Sequence, residues 1–151
     1  MPRIDAPGVL DTSERRLAAL TADAARRWGT LTAHEMVCHL SDSFRGILGD
    51  RPVTPARMSA VQRQLTRIIA LHTPLPWPKG LPTRPEVDPR QLGTQPAAFE
   101  DDRAQLRELM RRFAGPGATY VEHPIFGALS HREWMIWAYR HVDHHFRQFG
   151  I

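Results

Sequence analysis

Residues 130–148 read S-H-R-E-W-M-I-W-A-Y-R-H-V-D-H-H-F-R-Q, a run without glycine or proline that is long enough for one continuous helix. Ser130 and Glu133 form an S-x-x-E pattern, which is typical of a capping box at the start of a helix. Gly150 follows closely and favours a helix end. The sequence therefore predicts a long C-terminal helix, around which the rest of the chain is expected to pack.

Three of the eight histidines lie in the second half of this predicted helix. Each residue advances about 100° round a helix, so residues four apart share one face. The apolar stripe of the helix consists of Trp134, Met135, Ala138, Val142, Phe146 and Phe149. His145 falls within this stripe and His141 near its edge, whereas His144 is expected to face water. His141 and His145 are thus spaced to chelate a metal, the alternative being one hydrogen-bonded core histidine among surface ones.

Length and composition predict one domain over residues 1–151. The chain is 42% hydrophobic and 24% charged, as in an ordinary globular protein with one core. No apolar run approaches the roughly 20 residues that a membrane span needs. Residues 1–11 also lack the apolar stretch of a signal peptide. We therefore expect no membrane association and a cytoplasmic location.

Charge and cysteine content restrict the possible ligands. The formal charge is +4, but nearly all positive charge is arginine interspersed with carboxylates, and no basic run occurs. We therefore expect no nucleic-acid partner. Cys38 is the only cysteine, which excludes an intrachain disulfide and a cysteine-based zinc cage. Any metal must then be bound by histidine and carboxylate.

Periodic apolar residues predict four further helices. They cover about residues 11–27, 32–48, 55–71 and 99–113, and the second begins at another capping box, formed by Thr32 and Glu35. The fourth has acidic residues at its start and arginines in its last turn, which matches the helix dipole. The predicted fold is all-α, a four-helix bundle with an accessory helix and a long Pro-rich loop.

The second helix carries a third candidate histidine. Its buried face is predicted to consist of Ala33, Met36, Leu40, Ser43, Phe44 and Ile47. His39 lies at the edge of that face and can look across the bundle at the last helix, whereas His34 points away. Cys38 lies on the opposite side and is interpreted as an incidental or partly covered residue. Asp42 can orient His39 from one turn beyond, but a solvated surface charge is the preferred interpretation.

Residues 73–96 form the least regular segment. Its seven prolines forbid a helix interior or a central strand; they are at positions 74, 76, 78, 82, 85, 89 and 96. A loop of this length inside a domain is usually functional or disordered. Because Leu75, Trp77, Leu81 and Val87 occur along it, we expect an ordered lid over the metal end of the bundle that contacts substrate. The alternative is that it only covers a helix face.

Other residues near the last helix have weaker assignments. His123 is interpreted as a turn-stabilising residue before that helix. Glu133 and Gln148 lie near the two ends of the histidine face and are candidates to line a pocket. Ile136 and Trp137 are apolar residues outside the buried stripe, and they suggest self-association as a homodimer.

Several motifs resemble one known group of proteins. H-P-I-F-G-A-L-S-H-R-E-W at 123–134, Y-R-H-V-D-H-H-F-R-Q-F-G at 139–150 and W-G-T-L-T-A-H-E-M-V-C-H-L at 28–40 are similar to motifs of the DinB-like superfamily of metal-binding four-helix bundles. The chain also resembles an uncharacterised branch of it that shares P-W-P-K-G-L-P-T-R-P-E in the loop, here residues 76–86. The resemblance covers nearly everything from residue 28 onward.

This resemblance implies a metal site. In the superfamily, one histidine of the second helix and an H-x-x-x-H pair of the last helix bind a divalent metal, and the matching positions are His39, His141 and His145. Three neutral imidazoles leave positions open for water or substrate, as in catalytic sites. Zn is the first choice, and Ni, Fe or Mn are alternatives.

The resemblance also implies a range of functions. Several relatives are transferases or isomerases that use a low-molecular-weight thiol, so a small-molecule ligand, with such a thiol as one candidate, is the expected partner. The expected function is a metal-dependent, thiol-dependent transferase or hydrolase. The alternatives are a non-catalytic metal- or ligand-binding protein, such as a stress-related binding protein, and a bundle whose metal site has decayed. Because all three ligand positions are histidine, decay is disfavoured.

Overall fold

A computed structural model describes all 151 residues and contains five α-helices and no β-strand. The helices are α1 (Val9–Ala18), α2 (Ala33–Ile47), α3 (Ala60–His72), α4 (Phe99–Ala114) and α5 (His131–Phe149). The predicted all-α fold is confirmed. No helix of the chain combines the length and the apolar character that crossing a membrane requires.

Four of the helices form the bundle, and α3 is the accessory helix. α2 packs on α4 and α5, and α1 packs on the same two helices. Phe44 of α2 lies between Phe113 of α4 and Trp137 of α5, with ring centroids 5.0 and 5.8 Å away. Phe44 and Phe113 are completely buried. Full burial of a side chain of this size contributes about 1.5–3 kcal/mol, so this aromatic group is a main source of stability.

Local signals explain where several helices start and stop. α2 and α5 begin at the predicted capping boxes, in which Thr32 pairs with Glu35 and Ser130 with Glu133. α5 ends at Gly150, whose φ of 76° is left-handed and therefore suits glycine. The predicted bounds of α2, α4 and α5 hold to within one or two residues.

The predicted bounds of α1 and α3 are wrong. α1 ends at Ala18 rather than near residue 27 because Arg103 of α4 donates hydrogen bonds to the carbonyl oxygens of Ala18 and Leu20. These carbonyls are thus satisfied outside the helix, and the chain continues as turns. α3 starts at Ala60 rather than at residue 55, because Ser59 forms a capping box there that the prediction missed.

The apolar side of α3 is exposed. Leu71 is its only buried residue. The other large apolar residues of the helix are 41–69% exposed; they are Val61, Leu65, Ile68 and Ile69. Polar contacts attach α3 to the bundle instead. The main one is a bidentate salt bridge between the Arg67 guanidinium and the Glu133 carboxylate of α5, with distances of 2.6 and 2.8 Å.

The two residues that suggested a homodimer lie in the core of the fold rather than on its surface. Ile136 and Trp137 are buried, because α5 is covered on more sides than a helix with one core face would be. Trp137 contacts Phe44 and Phe113 in the aromatic core. The expectation of a dimer therefore has no support from these two residues.

The Pro-rich loop lies against the bundle. Trp77 donates its indole N–H to the carbonyl of Ala70 at 3.0 Å, and Arg140 of α5 donates to the carbonyl of Thr73 at 2.6 Å. Residues Pro85–Val87 form a single turn of 3₁₀ helix next to α2. Near the end of the loop, the backbone N–H of Thr94 donates to the Asp42 carboxylate of α2 at 2.6 Å. The loop is thus attached near both ends and in the middle.

Candidate metal centre

The structure brings the three predicted histidines together. The ligand-capable nitrogens of His39, His141 and His145 all lie within 4.8 Å of one another. The Nε2 atoms of His39 and His141 are 3.3 Å apart. Two nitrogens that bind one zinc ion tetrahedrally, each at about 2.0–2.1 Å, are separated by roughly 3.3–3.4 Å. The observed spacing therefore fits two ligands of one ion.

Hydrogen bonds on the outer side of the rings fix which nitrogen faces inward. The Nδ1 atom of His39 donates to the carbonyl of Val87 at 2.8 Å, and Nδ1 of His145 donates to the Gln148 side-chain oxygen at 2.7 Å. Because both partners are acceptors, Nδ1 carries the proton in each ring. The Nε2 atoms of His39 and His145 therefore present lone pairs to the cluster, as in many metal sites.

With His141 included, the three rings have inward-facing nitrogens that cannot all form hydrogen bonds with one another. The Nδ1 atom of His141 is buried without a hydrogen-bond partner, and its Nε2 faces His39. If His141 protonates Nε2, that single N–H can serve only one of the two facing lone pairs. An unsatisfied buried polar atom costs about 1–3 kcal/mol. A cation among the three rings satisfies all the inward lone pairs, so the donor set fits a metal ion.

Burial keeps these histidines neutral. It lowers the pKa of His39 below its usual 6.5, although the Val87 carbonyl and the carboxylate of Asp42 act in the opposite direction. Burial and the neighbouring histidines lower the pKa of His141 and His145 well below 6.5. Neutral imidazole is the form that binds metals, so no proton has to be displaced near neutral pH.

His144 does not face water as expected. It is half-buried and packs edge-on against Trp28, with ring centroids 4.8 Å apart, and it lies 5.9 Å from Trp77. The turn before α2 and the Pro-rich loop cover this side of α5, which the helical periodicity alone does not reveal. His144 stays outside the group of converging nitrogens and is the natural control for them.

His123 stabilises a turn, in agreement with its interpretation. Its Nδ1 atom accepts hydrogen bonds from the backbone N–H groups of Ile125 and Phe126 at 3.1 and 3.2 Å. Burial lowers its pKa to about 3, with nearby arginines adding to the effect. This neutral ring also forms part of the wall of the cavity described below.

Asp42 is neither a surface charge nor the partner of His39. Its side chain is fully buried, pairs with Arg45 and Arg51, and accepts a hydrogen bond from the backbone N–H of Thr94. Both interpretations of Asp42 are thus wrong, because the partner of His39 is the backbone carbonyl of Val87. No side-chain pattern in the sequence marks a carbonyl as a partner.

Glu133 and Gln148 have different roles. Gln148 orients His145 and so belongs to the site. Glu133 lies at the other end of α5, where it pairs with Arg67, His72 and Ser130. The hydrogen bond from Arg67 lowers the pKa of Glu133 far below its usual range, although its burial acts in the opposite direction. Glu133 therefore attaches α3 and does not line the cavity.

Cys38 is buried rather than partly covered. It lies between α2 and α4, where its sulfur is 3.9 Å from the Asp102 carboxylate, which also pairs with His34 at 2.7 Å. Ligand atoms of these three residues are also within 4.8 Å of one another. Burial and the charge of Asp102 raise the pKa of the thiol to about 12. Cys38 is therefore a protonated thiol that is unsuited to act as a nucleophile.

The three histidines form part of the wall of a cavity of about 490 Å³. This volume is within the range of small-molecule sites. Trp137 and the histidines of α2 and α5 form one side, and α3 and the Pro-rich loop form the other. The loop residues in the wall are Leu75, Pro76, Trp77, Pro78, Leu81, Pro82, Thr83, Arg84, Glu86 and Val87. The loop therefore lies beside the histidines and encloses the space in front of them.

The fold and the site together define a helical-bundle protein with a largely buried histidine cluster that can hold a metal ion beside a cavity of small-molecule size. The chain belongs to the family described as protein of unknown function (DUF1569), whose model matches residues 8–150. No curated protein and no solved structure matches the chain. The match confirms membership of an uncharacterised family, while the broader resemblance to the DinB-like superfamily stays a prediction.

Proposed function

We propose that the protein binds one divalent metal ion through His39, His141 and His145, with zinc as the first choice and Ni, Fe or Mn as alternatives. The observation that carries this proposal is the convergence of three neutral imidazoles whose inward nitrogens lack enough protons to satisfy one another. Imidazole is a good ligand for all of these metals. The predicted likeness to DinB-like bundles supports the same three ligands.

A metal held by three histidines keeps room for another ligand and supplies a Lewis acid that lowers the pKa of a bound thiol or water. The surrounding residues suit such chemistry. The Val87 carbonyl and Gln148 fix two rings, and the Trp77 side chain forms part of the cavity wall. We propose on this basis, and on the superfamily resemblance, a metal-dependent and thiol-dependent transferase or hydrolase that acts on a small molecule.

A metal-dependent binding protein without turnover is the second candidate. One observation favours it. Glu86 is the only carboxylate in the cavity wall, and it is already engaged by Arg84 at 2.9 Å and by the backbone N–H of Thr54 at 3.1 Å. Both contacts are made by Oε1, and Oε2 is buried without a hydrogen-bond partner. Although burial raises the pKa of Glu86, hydrogen bonds from the backbone and Arg84 lower it below its usual value, and a carboxyl group of lowered pKa is a weak general base. Turnover assays with small thiols and electrophiles on metal-loaded protein separate the two candidates.

Elemental analysis of purified variants tests the metal site. We expect about one equivalent of divalent metal in the unmodified protein and near zero in His39→Ala, His141→Ala and His145→Ala. His144→Ala is the matched control, since it removes an imidazole of α5 that lies outside the cluster, and it should retain the metal. Full metal content in His141→Ala, or loss in His144→Ala but not in His145→Ala, would contradict the assignment.

A further inference from the structure

The cavity is polar at the histidines and mainly apolar elsewhere. α3 contributes Ile69 and Ala70, and the loop contributes Leu75, Trp77 and Leu81. Further apolar wall residues come from other segments; they are Ile47, Val53, Ile125, Phe126 and Trp137. A ligand that fills this space must therefore have an apolar body.

Most of the exposed large apolar residues of the molecule are on α3 and the loop, two segments that both contribute to the cavity wall. Of the nine large hydrophobic residues that are exposed, seven are on α3 or the loop; they are Val61, Leu65, Ile68, Ile69, Leu75, Leu81 and Leu92. Ile69, Leu75 and Leu81 are 54–66% exposed and also form part of the cavity wall. They make an apolar mouth that connects the cavity with solvent, which is typical of a ligand groove.

The charged residues of the cavity wall indicate the charge of the ligand group that lies at the histidines. Arg84 and Glu86 are the only residues with permanent charge there, and they pair with each other. Imidazole binds a metal in its neutral form, so the three histidines do not offset the charge of an ion. The only carboxylate of the wall is therefore paired with Arg84, and an anionic ligand group is favoured to balance the charge of a divalent ion at the histidines.

We infer that the cavity binds a small anionic amphiphile. Its anionic donor group, an oxygen or sulfur anion, lies at the three histidines, and its aliphatic or aryl body extends along Trp77 to the mouth between α3 and the loop. This inference rests on the proposed metal site, and it adds the class of ligand that the site takes.

Calorimetric titration of zinc-loaded protein with ligands that share one tail tests the head group. Hexanoate and hexanethiol represent the oxygen and sulfur anions, hexanol the neutral head and hexylamine the cationic head. At least one of the two acidic ligands should bind tenfold or more tightly than hexanol and hexylamine, and its preference over hexanol should disappear in metal-free protein. Affinity should also rise roughly fourfold for each methylene from propanoate to hexanoate.

A matched pair of α3 variants tests the position of the tail. Ile69 and Leu65 are 54% and 55% exposed, but only Ile69 lines the cavity. Ile69→Ser should weaken hexanoate binding severalfold, and Leu65→Ser should leave it unchanged, with the same zinc content in both proteins. Equal weakening by both substitutions would place the tail elsewhere and overturn the inference.

The outcomes separate this inference from the metal site. Protein that takes up no zinc would refute the proposed function and the anionic preference together. Protein that holds one zinc through the three histidines, but binds hexanoate and hexanethiol no better than hexylamine, would keep the proposed function and refute the ligand class.

Discussion

The inner bundle and the layer outside it are held together by different forces. The inner bundle of α1, α2, α4 and α5 buries large apolar side chains such as Phe44, Phe113 and Phe146 completely. The outer layer, defined as α3 and residues 73–96, buries little apolar surface and is attached by arginines. Burial of apolar area stabilises the inner bundle, whereas hydrogen bonds from charged arginine side chains attach the outer layer.

The histidine cluster lies where these two parts meet. All three rings project from inner helices, but the Val87 carbonyl that orients His39 belongs to the outer layer, as does much of the cavity wall. Changes that loosen the outer layer should therefore alter the site before they unfold the protein.

Truncation of an inner aromatic residue should be the most damaging change. Phe113→Ala removes a fully buried ring that contacts Phe44, Tyr120, Trp134 and Trp137, and it should lower the free energy of unfolding by about 3–5 kcal/mol. Urea denaturation measures this loss. Leu65→Ala on exposed α3 is the control and should change stability by no more than about 0.5 kcal/mol. Similar losses for both variants would refute the division between the two parts.

Removal of one charge should release α3 specifically. Glu133→Gln takes away the carboxylate that Arg67 and His72 share, while Gln at this position still permits a capping box. We expect a loss of about 1–3 kcal/mol, seen as faster amide exchange in α3 than in α4. The same substitution at exposed Glu108 of α4 should have little effect. Uniform loss of protection across all helices would show that α3 is not a separate unit.

Acid should have the same effect as this substitution. Arg67 lowers the pKa of Glu133 in the folded protein, in opposition to burial, and the pKa in the unfolded chain is about 4.3. The contribution of Glu133 is then fully present above the unfolded pKa and is lost as pH falls toward the folded pKa. Below about pH 4, α3 should lose protection in the unmodified protein. Stability that falls with the same slope in Glu133→Gln would contradict this linkage.

Loss of a loop attachment should have the smallest effect. Arg140 donates to the carbonyls of Thr73 and Leu75, and its guanidinium lies 5.7 Å from the Trp77 ring centroid. Arg140→Met keeps the apolar stem and should lower global stability by only about 1 kcal/mol. Limited proteolysis should nevertheless cut residues 73–82 faster than in the unmodified protein. Unchanged cleavage would mean that other contacts position the loop.

Local signals in the sequence predicted three helices of the inner bundle, α2, α4 and α5, to within one or two residues, but they did not predict the end of α1. The capping boxes of α2 and α5 and their 3.6-residue periodicity predicted both helices, and the same periodicity predicted that His39, His141 and His145 face one another. All of this information is contained within single helices. The sequence was therefore sufficient for the part of the site that the helices carry.

Contacts between distant segments could not be predicted in this way. Val87 is a partner of His39 through its backbone carbonyl, which has no residue signature, and Asp42 is buried by Arg51 and Thr94 from other segments. Periodicity also showed that α3 has an apolar side, but it could not show that nothing in the chain covers that side. The missed features all depend on tertiary packing.

X-ray absorption of zinc-loaded protein most directly tests whether the three histidines hold one metal ion. We expect three imidazole rings bound through nitrogen at about 2.0–2.1 Å, with the same spectrum in His144→Ala. Fewer than three imidazoles in the unmodified protein, or the loss of one in His144→Ala, would contradict this expectation.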